Sequence, residues 1–340
     1  MTAALRICRA GPQMTVQDMG RPALTGQGLA TGGAADLVAL AEAAALFSLG
    51  QMPAAIEMAG MGGDISVSQP TRIALTGAPM RAKLDGKDIG WNQTHLLMPG
   101  QRLVIGGAIS GVYGYLTPAG GIATEPLLGS RSAHLVGNLG SALAADQEIA
   151  LGPDPLPAAP PVRVSPDARF SGGAVRIMPG PQTGLFDGAE LDRFLAASFQ
   201  RGSAANRQGV RLEHGGAPFQ PGEVAGLASD FIAVGDVQMT GDGVPYVLLS
   251  ECQTMGGYPR IGTVVGADLP LIAQLPLRGR IRFTLISVEE ADRLYRSPAQ
   301  MITEAKTRVA PLVRDPSEIS DLLGYQLIGG VTSGRDEEEY

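Results

Sequence analysis

Lysine is nearly absent from this chain: Lys83, Lys87 and Lys306 are the only three in 340 residues. None stands in a Met-Lys-Met setting, so no covalent biotin is expected on this chain. Basic clusters are missing and the net charge is -7. Phosphate backbones are held by gathered Lys and Arg, so nucleic-acid binding is excluded. Cys8 and Cys252 are the only cysteines, not in zinc-finger spacing, and both are expected to be free, buried thiols in a reducing cytosol. His95, His134 and His214 are isolated from one another, which leaves no sequence-local metal site. No stretch approaches the ~20 apolar residues of a membrane span. No basic segment followed by an apolar run opens the chain, so a soluble cytoplasmic protein is expected. A P-loop is missing too, because Gly86-Lys87 is followed by Asp88. Gly26-x-Gly28 lacks the third Rossmann glycine, with Thr31 in its place, and no Gly-x-Ser-x-Gly elbow occurs.

What is abundant is glycine, 47 residues, beside 25 prolines and an apolar content of 44%. The glycines follow no collagen period, so they mark tight turns in a globular, β-rich chain. The length suits two domains of ordinary size. Five prolines between Gly152 and Pro161 admit neither helix nor central strand. A β domain over 1–151, a linker at 152–161 and a second β domain over 162–296 are therefore expected. A polar helical extension with an acidic tail, Arg335 to Tyr340, completes the chain at 297–340. Strand-like runs are Arg72–Leu75, Arg102–Ile105, Val112–Leu116, Val175–Met178, Tyr246–Leu249, Ile261–Val265 and Arg280–Val288. Helices are expected over Ala35–Leu49, which stops at Gly50, and over Asp187–Phe199, which opens with Asp187 and Glu190 in capping-box spacing. Ser287 and Glu290 repeat that spacing. Gly11-Pro12-Gln13 after one alternating run and Gly180-Pro181-Gln182 after another point to two related halves.

With lysine scarce, arginine carries nearly all the positive charge, and its planar fork suits carboxylates and phosphates. Polar groups and glycines come together in three places. In Thr15-Val16-Gln17-Asp18-Met19-Gly20-Arg21, Asp18 and Arg21 form either a surface pair or an anion grip with an orienting or basic carboxylate. Asp36, at a helix start, either stabilises that terminus or joins them. In Asn206-Arg207-Gln208-Gly209-Val210-Arg211, alternation sends Arg207 and Arg211 to one side, to meet carboxylates or an anionic ligand. Gln253-Thr254-Met255-Gly256-Gly257-Tyr258-Pro259, between two strand-like runs, is either a hairpin connection or a ligand loop.

Taken in order, these segments resemble the allophanate hydrolase subunit 2 family. Its members include the C subunit of prokaryotic 5-oxoprolinase, the Kip antagonist protein and half of the carboxyltransferase region of urea carboxylase. The resemblance runs from about Ile7 to Glu290. It also rests on Gly33-Ala34-x-Asp36, Leu75-Thr76-Gly77-Ala78, Ala119-Gly120-Gly121-Ile122, Leu128-Gly129-Ser130-Arg131-Ser132 and Pro179-Gly180-Pro181. Departures from the family's usual residues fall at Ala35, Ala205, Gln208 and Met255. The resemblance implies a mainly β fold with a few helices, built as two cyclophilin-like β-barrel domains. It implies ATP-dependent opening of 5-oxo-L-proline to L-glutamate, in complex with a subunit 1 homologue (the 5-oxoprolinase B subunit) and a LamB/YcsF-type A subunit. ATP would be held by the complex. Asp18, Asp36 and Arg207 are then the expected catalytic residues. Arg21, Asn206, Arg211, Gln253, Thr254, Gly256, Gly257 and Tyr258 are the expected substrate contacts. Two other activities fit the same resemblance: transfer of a carboxyl group from carboxybiotin to urea or a related amide, and non-enzymatic binding of a kinase inhibitor.

Overall fold

The computed structural model describes residues 3–222 and 227–313. The acidic tail expected at Arg335–Tyr340 lies outside the described residues. Strands dominate, joined by a few short helices.

The N-terminal half is two facing sheets around one core. The first sheet runs, edge to edge, through Glu148–Ala150, Ala4–Arg9, Asp64–Val67, Leu103–Ala108, Met80–Leu84 and Lys87–Asp88. The second runs through Thr15–Gln17, Ala55–Ala59, Tyr113–Pro118, Thr71–Gly77, Gln93–Leu97, Val162–Val164 and Val309–Pro311. In Ala4–Arg9 the period of two buries Leu5 and Ile7 and turns Arg6 to water. Those two meet Ile56, Ile65, Ile73, Leu75, Leu103 and Ile105 in the space between the sheets.

The second half is a closed seven-stranded barrel. Its order is Gly172–Met178, Arg260–Val264, Asp236–Met239, Pro245–Leu248, Gly209–Glu213, Phe199–Ala205 and Arg280–Leu285. The first and last of these pair in parallel, Gly172 opposite Arg280 through Ile177 opposite Leu285. Phe194 joins the barrel's core, where its ring stacks on Phe283 at 5.0 Å and lies 4.9 Å from that of Phe199.

The helices start where side chains cap them. Asp36 caps α1 (Leu37–Leu46), accepting from Val38 and Ala39, and Asp187 caps α2 (Gly188–Ala196) through Glu190 N–H. Pro270 sits in the first turn of α3 (Leu269–Ala273). Ser287 and Ser297 open α4 (Val288–Leu294) and α5 (Pro298–Lys306) with complete capping boxes. The strand expected to run to Val288 therefore stops at Leu285, because Ser287 claims the following turn for a helix. The two Gly-Pro-Gln turns share a closing contact, Gly11 N–H to Met14 Sδ at 2.9 Å and Gly180 N–H to Thr183 Oγ1 at 2.8 Å, but not their backbone, since Gln13 has φ +52° and Gln182 φ -112°.

Hydrogen bonding divides the chain differently from the proline-rich break at 152–161. Val162–Val164 pairs with Gln93 and with Val309–Pro311, so both flanks of the barrel belong to the N-terminal half's second sheet. Helix α5 packs on α1 through buried Ile302 and Ala305.

Candidate functional site

Four barrel strands present their outer face to a depression of about 360 Å³. The turn residues Asn206 and Gln208, the strand residues Gln238, Tyr246 and Leu248, Thr240 just past its strand, and the loop residues Cys252, Gln253 and Tyr258 line it. Local chemistry sets each wall. Asn206 Oδ1 accepts from the N–H groups of Gln208 (2.8 Å) and Gly209 (3.3 Å), which folds this segment into a turn. Met255–Gly256 pairs with Asp230–Phe231 as a two-stranded flap beside the depression. Arg260 fixes that flap, donating to Asp230 (2.5 Å), Asp236 (3.2 Å) and the Phe231 carbonyl (2.5 Å). Among the described residues, none of the lining carries a formal charge at neutral pH, and four carboxamides face the space: Asn206, Gln208, Gln238 and Gln253.

Behind this depression runs a buried ionic seam between the halves. Arg207 donates Nε to Glu251 (2.6 Å), Nη1 to Glu57 and Nη2 to the Gly33 carbonyl (2.5 Å). Glu251 N–H returns a bond to the Arg207 carbonyl at 2.9 Å. Glu57 Oε2 accepts from Tyr115 Oη (2.7 Å) and Ala35 N–H (2.8 Å), and Tyr115 Oη accepts from Asp36 N–H (2.9 Å). Asp36 Oδ2 then takes Arg169 Nε and Gln274 Nε2, each at 2.8 Å. Arg169 grips Glu42 with both terminal nitrogens, and Arg308 reaches Glu42 at 2.9 Å. Burial alone would lower the pKa of Arg207, but Glu57 and Glu251 reverse that and raise it. The same contest raises Arg169, with Asp36 and Glu42 as the winning charges. Burial and the Glu57 charge push the Tyr113 phenol up to about 12.

The residues picked out by sequence thus fall into three places. Asn206, Gln253 and Tyr258 line the depression; Gly256 and Gly257 adjoin it, and Thr254 is buried beneath, its carbonyl accepting from Ile232 N–H at 3.1 Å. Arg207 and Asp36 lie in the seam, with their polar atoms taken up by the protein. Asp18 and Arg21 organise the loops next to it. Asp18 accepts from Ser130 and Ser132 hydroxyls (both 2.5 Å) and from Gly20 and Arg131 N–H groups (2.8 and 2.7 Å). Burial would raise its pKa, but these four bonds together lower it, which disfavours a role as proton acceptor. Arg21 donates to the carbonyls of Leu127 (2.9 Å), Ser130 (3.3 Å) and Ser132 (2.5 Å). Gly20 and Gly33 hold φ of +81° and +84°, and a Cβ on either would strike backbone of the facing loop, which is how Asp18 and Gly33 come so close.

Arg211 departs from the expectation that it shares a side with Arg207. The Asn206 turn breaks the alternation, so Arg207 points inward while Arg211 lies outside, 3.4 Å from Asp242 and over the Tyr246 ring. It borders a separate depression of about 320 Å³ with Glu213 and His214. The cysteines also differ from expectation: both are free, but only Cys252 is buried, and burial pushes its thiol up to about 11. Sequence reasoning missed Gln238, Thr240 and Tyr246 in the depression, and Glu57, Glu251, Arg169 and Gln274 in the seam. Apart from Thr240, which precedes Gly241, and Glu251, two residues before Gln253, each sits where no glycine or motif beside it gives it away.

The family model described as carboxyltransferase domain, subdomain A and B, matches residues 27–285. The 5-oxoprolinase C subunit of Escherichia coli is 36% identical over 298 residues, covering 84% of this chain and 93% of that protein. The Haemophilus influenzae protein of the same name is 28% identical over 83% of this chain and 91% of its own length. The crystal structure of TTHA0988 superposes with a TM-score of 0.75 at 30% identity over 83% of this chain, which spans only 56% of that longer chain. Kluyveromyces lactis urea amidolyase gives a TM-score of 0.77 at 22% identity and shares the fold over 93% of this chain, which spans 21% of that protein.

Proposed function

We propose, from the premise that this chain belongs to the carboxyltransferase-domain family, that it is the C subunit of a 5-oxoprolinase. What carries the reading is the 36% identity to a protein of that name across 84% of this chain and 93% of the relative. The chemistry of the depression agrees with it: a space bounded by neutral carboxamides suits the neutral lactam edge of such a substrate.

The reaction consumes ATP and water. A phosphoryl group moves from ATP to the lactam oxygen, releasing ADP and the N–H proton and making C5 electrophilic. One water adds to C5; the C5–N bond breaks, and the nitrogen regains its proton as the amine of L-glutamate. The acyl phosphate left behind takes a second water and releases phosphate. This chain's share is to seat the lactam. We assign Asn206, Gln253, Gly256, Gly257 and Tyr258 to the substrate's surroundings, with Thr254 holding their loop from below. Arg211 borders the separate depression and pairs there with Asp242, so we leave it out of the substrate's surroundings. Asp18, Arg21, Asp36 and Arg207 form the frame behind them. A triphosphate needs cationic partners, and the described lining offers none, so ATP is assigned to another chain of the complex. A cytoplasmic setting suits two unpaired thiols.

Co-expression with the subunit 1 homologue (the B subunit) and the LamB/YcsF-type A subunit tests the reading. ATP hydrolysis dependent on 5-oxo-L-proline is expected only when this chain is present. Turnover equal to that of the partners alone would defeat it. Biotin-dependent consumption of urea in the same assay would instead favour carboxyl transfer.

A further inference from the structure

We propose that Gln238 grips the lactam edge of the substrate, with Gln253 beside it and Gly256 keeping the space in front of both open. This rests on the cyclic-amide reading of the depression. Gln238 lies in the barrel strand Asp236–Met239, opposite Tyr246 on one side and Arg260 on the other. It is 4% exposed, and its side chain faces the depression. Its Nε2 is buried and meets no acceptor among the described residues. Buried donors are paired in almost every case, so an orphan facing a hollow marks the place where a ligand supplies the acceptor.

Gly256 supplies the second observation. A Cβ placed there would stand 2.9 Å from Gln238 Nε2 and 3.6 Å from Gln253 Nε2. Two carboxamide nitrogens therefore border the same bare backbone position. Gly256 is absent from the glycines with positive φ, so the conformation does not call for glycine. What the missing side chain provides is room.

The chemistry of the match is specific. A five-membered lactam holds its amide cis, so N–H and C=O point to the same edge. A primary carboxamide presents the reverse pair on its own edge. Gln238 can thus donate Nε2–H to the C5 oxygen while its Oε1 accepts the ring N–H, in one planar double hydrogen bond. Gln253 adds a second donor to the oxygen, which has a lone pair to spare. L-Proline, without the carbonyl, offers no such edge, and neither does L-glutamate, so the site separates substrate from product.

The test uses the assembled complex and Gln238→Leu, Gln238→Glu and Gly256→Ala. Gln238→Leu removes an unpaired polar group, so its melting temperature should match or exceed that of the wild type. Its KM for 5-oxo-L-proline should rise roughly five- to tenfold with kcat changed less, the mark of lost substrate binding. Gln238→Glu keeps only acceptors and should be at least as impaired. Gly256→Ala should raise KM in the wild type but add little to Gln238→Leu, because both act on one contact. Independently, selective ¹⁵N-glutamine labelling of the full chain reports the Gln238 side-chain amide, identified by its loss in Gln238→Leu. Millimolar 5-oxo-L-proline or 2-pyrrolidinone should shift that resonance, and L-proline should not. Unchanged KM in Gln238→Leu, or an amide resonance indifferent to lactams, overturns the proposal. A lactam-specific shift in a chain whose complex shows no turnover would sink the 5-oxoprolinase reading and leave lactam recognition standing.

Discussion

Arg207 is buried, and its three hydrogen-bonded partners come from both halves of the chain. Removing it leaves Glu57 and Glu251 charged and uncompensated in the seam. Arg207→Ala is therefore expected to lower the free energy of unfolding by about 3–5 kcal/mol, read from urea denaturation. A loss below ~1 kcal/mol, the worth of an exposed pair, would contradict the seam. Asp18 gives a pH signature with a definite sign. Its folded pKa is depressed, so its stabilising effect is fully present above the unfolded value of about 3.9 and fades as pH falls through the lower folded value. Asp18→Asn should be less stable than wild type at neutral pH, and the gap should narrow in acid below about pH 4 when unfolding is followed across pH. The two thiols should also separate. Cys8 is partly accessible, whereas Cys252 is buried and its thiol is raised to about 11. Iodoacetamide near pH 8 should modify Cys8 first, and mass mapping that finds Cys252 labelled equally fast would refute its described environment.

Among the elements, the helix starts were the most legible in sequence, because Asp36, Asp187, Ser287 and Ser297 announce themselves within one turn of the residues they cap. Strands were legible as apolar runs, though Thr71–Gly77 is buried along its whole length and shows no alternation. The destinations of elements were not legible. Helix α1 is buried on all sides from Ala39 to Leu46, Glu42 included. Glu42 is tolerable only because Arg169 and Arg308 arrive from far along the chain, and nothing local signals them. The candidate site divides in the same way. Glycine-marked loops revealed Asn206, Gln253 and Tyr258, while Gln238 lay hidden in a strand, since hydrogen-bond vacancy is a property of three dimensions. Helix α5 carries the matching element-scale prediction. Ile302 is buried against α1, so Ile302→Ala should cost about 2–5 kcal/mol in chemical denaturation. A surface-like effect under ~0.5 kcal/mol would show that α5 does not dock.

At the scale of the whole molecule, the seam from Glu251 through Arg207, Glu57, Tyr115, Asp36 and Arg169 to Glu42 makes each half's buried charges depend on the other. The two halves should accordingly melt in one calorimetric transition. Arg207→Ala should broaden or split that transition, and two resolved peaks in the unaltered protein would show that the seam does not couple them. Another feature works at the same scale. Val164 pairs with Val309, so the peptide that departs to build the barrel and the peptide that comes back are held side by side. The barrel is thus topologically an excursion, tied off at its neck like a bag with a drawstring. Excising segment 165–308 and rejoining the stumps by a tight turn would leave the sheet order undisturbed, but it would also strip Asp36, Glu42 and Glu57 of Arg169, Arg308 and Arg207, so the sandwich left behind should fold alone only once those carboxylates are replaced by neutral residues.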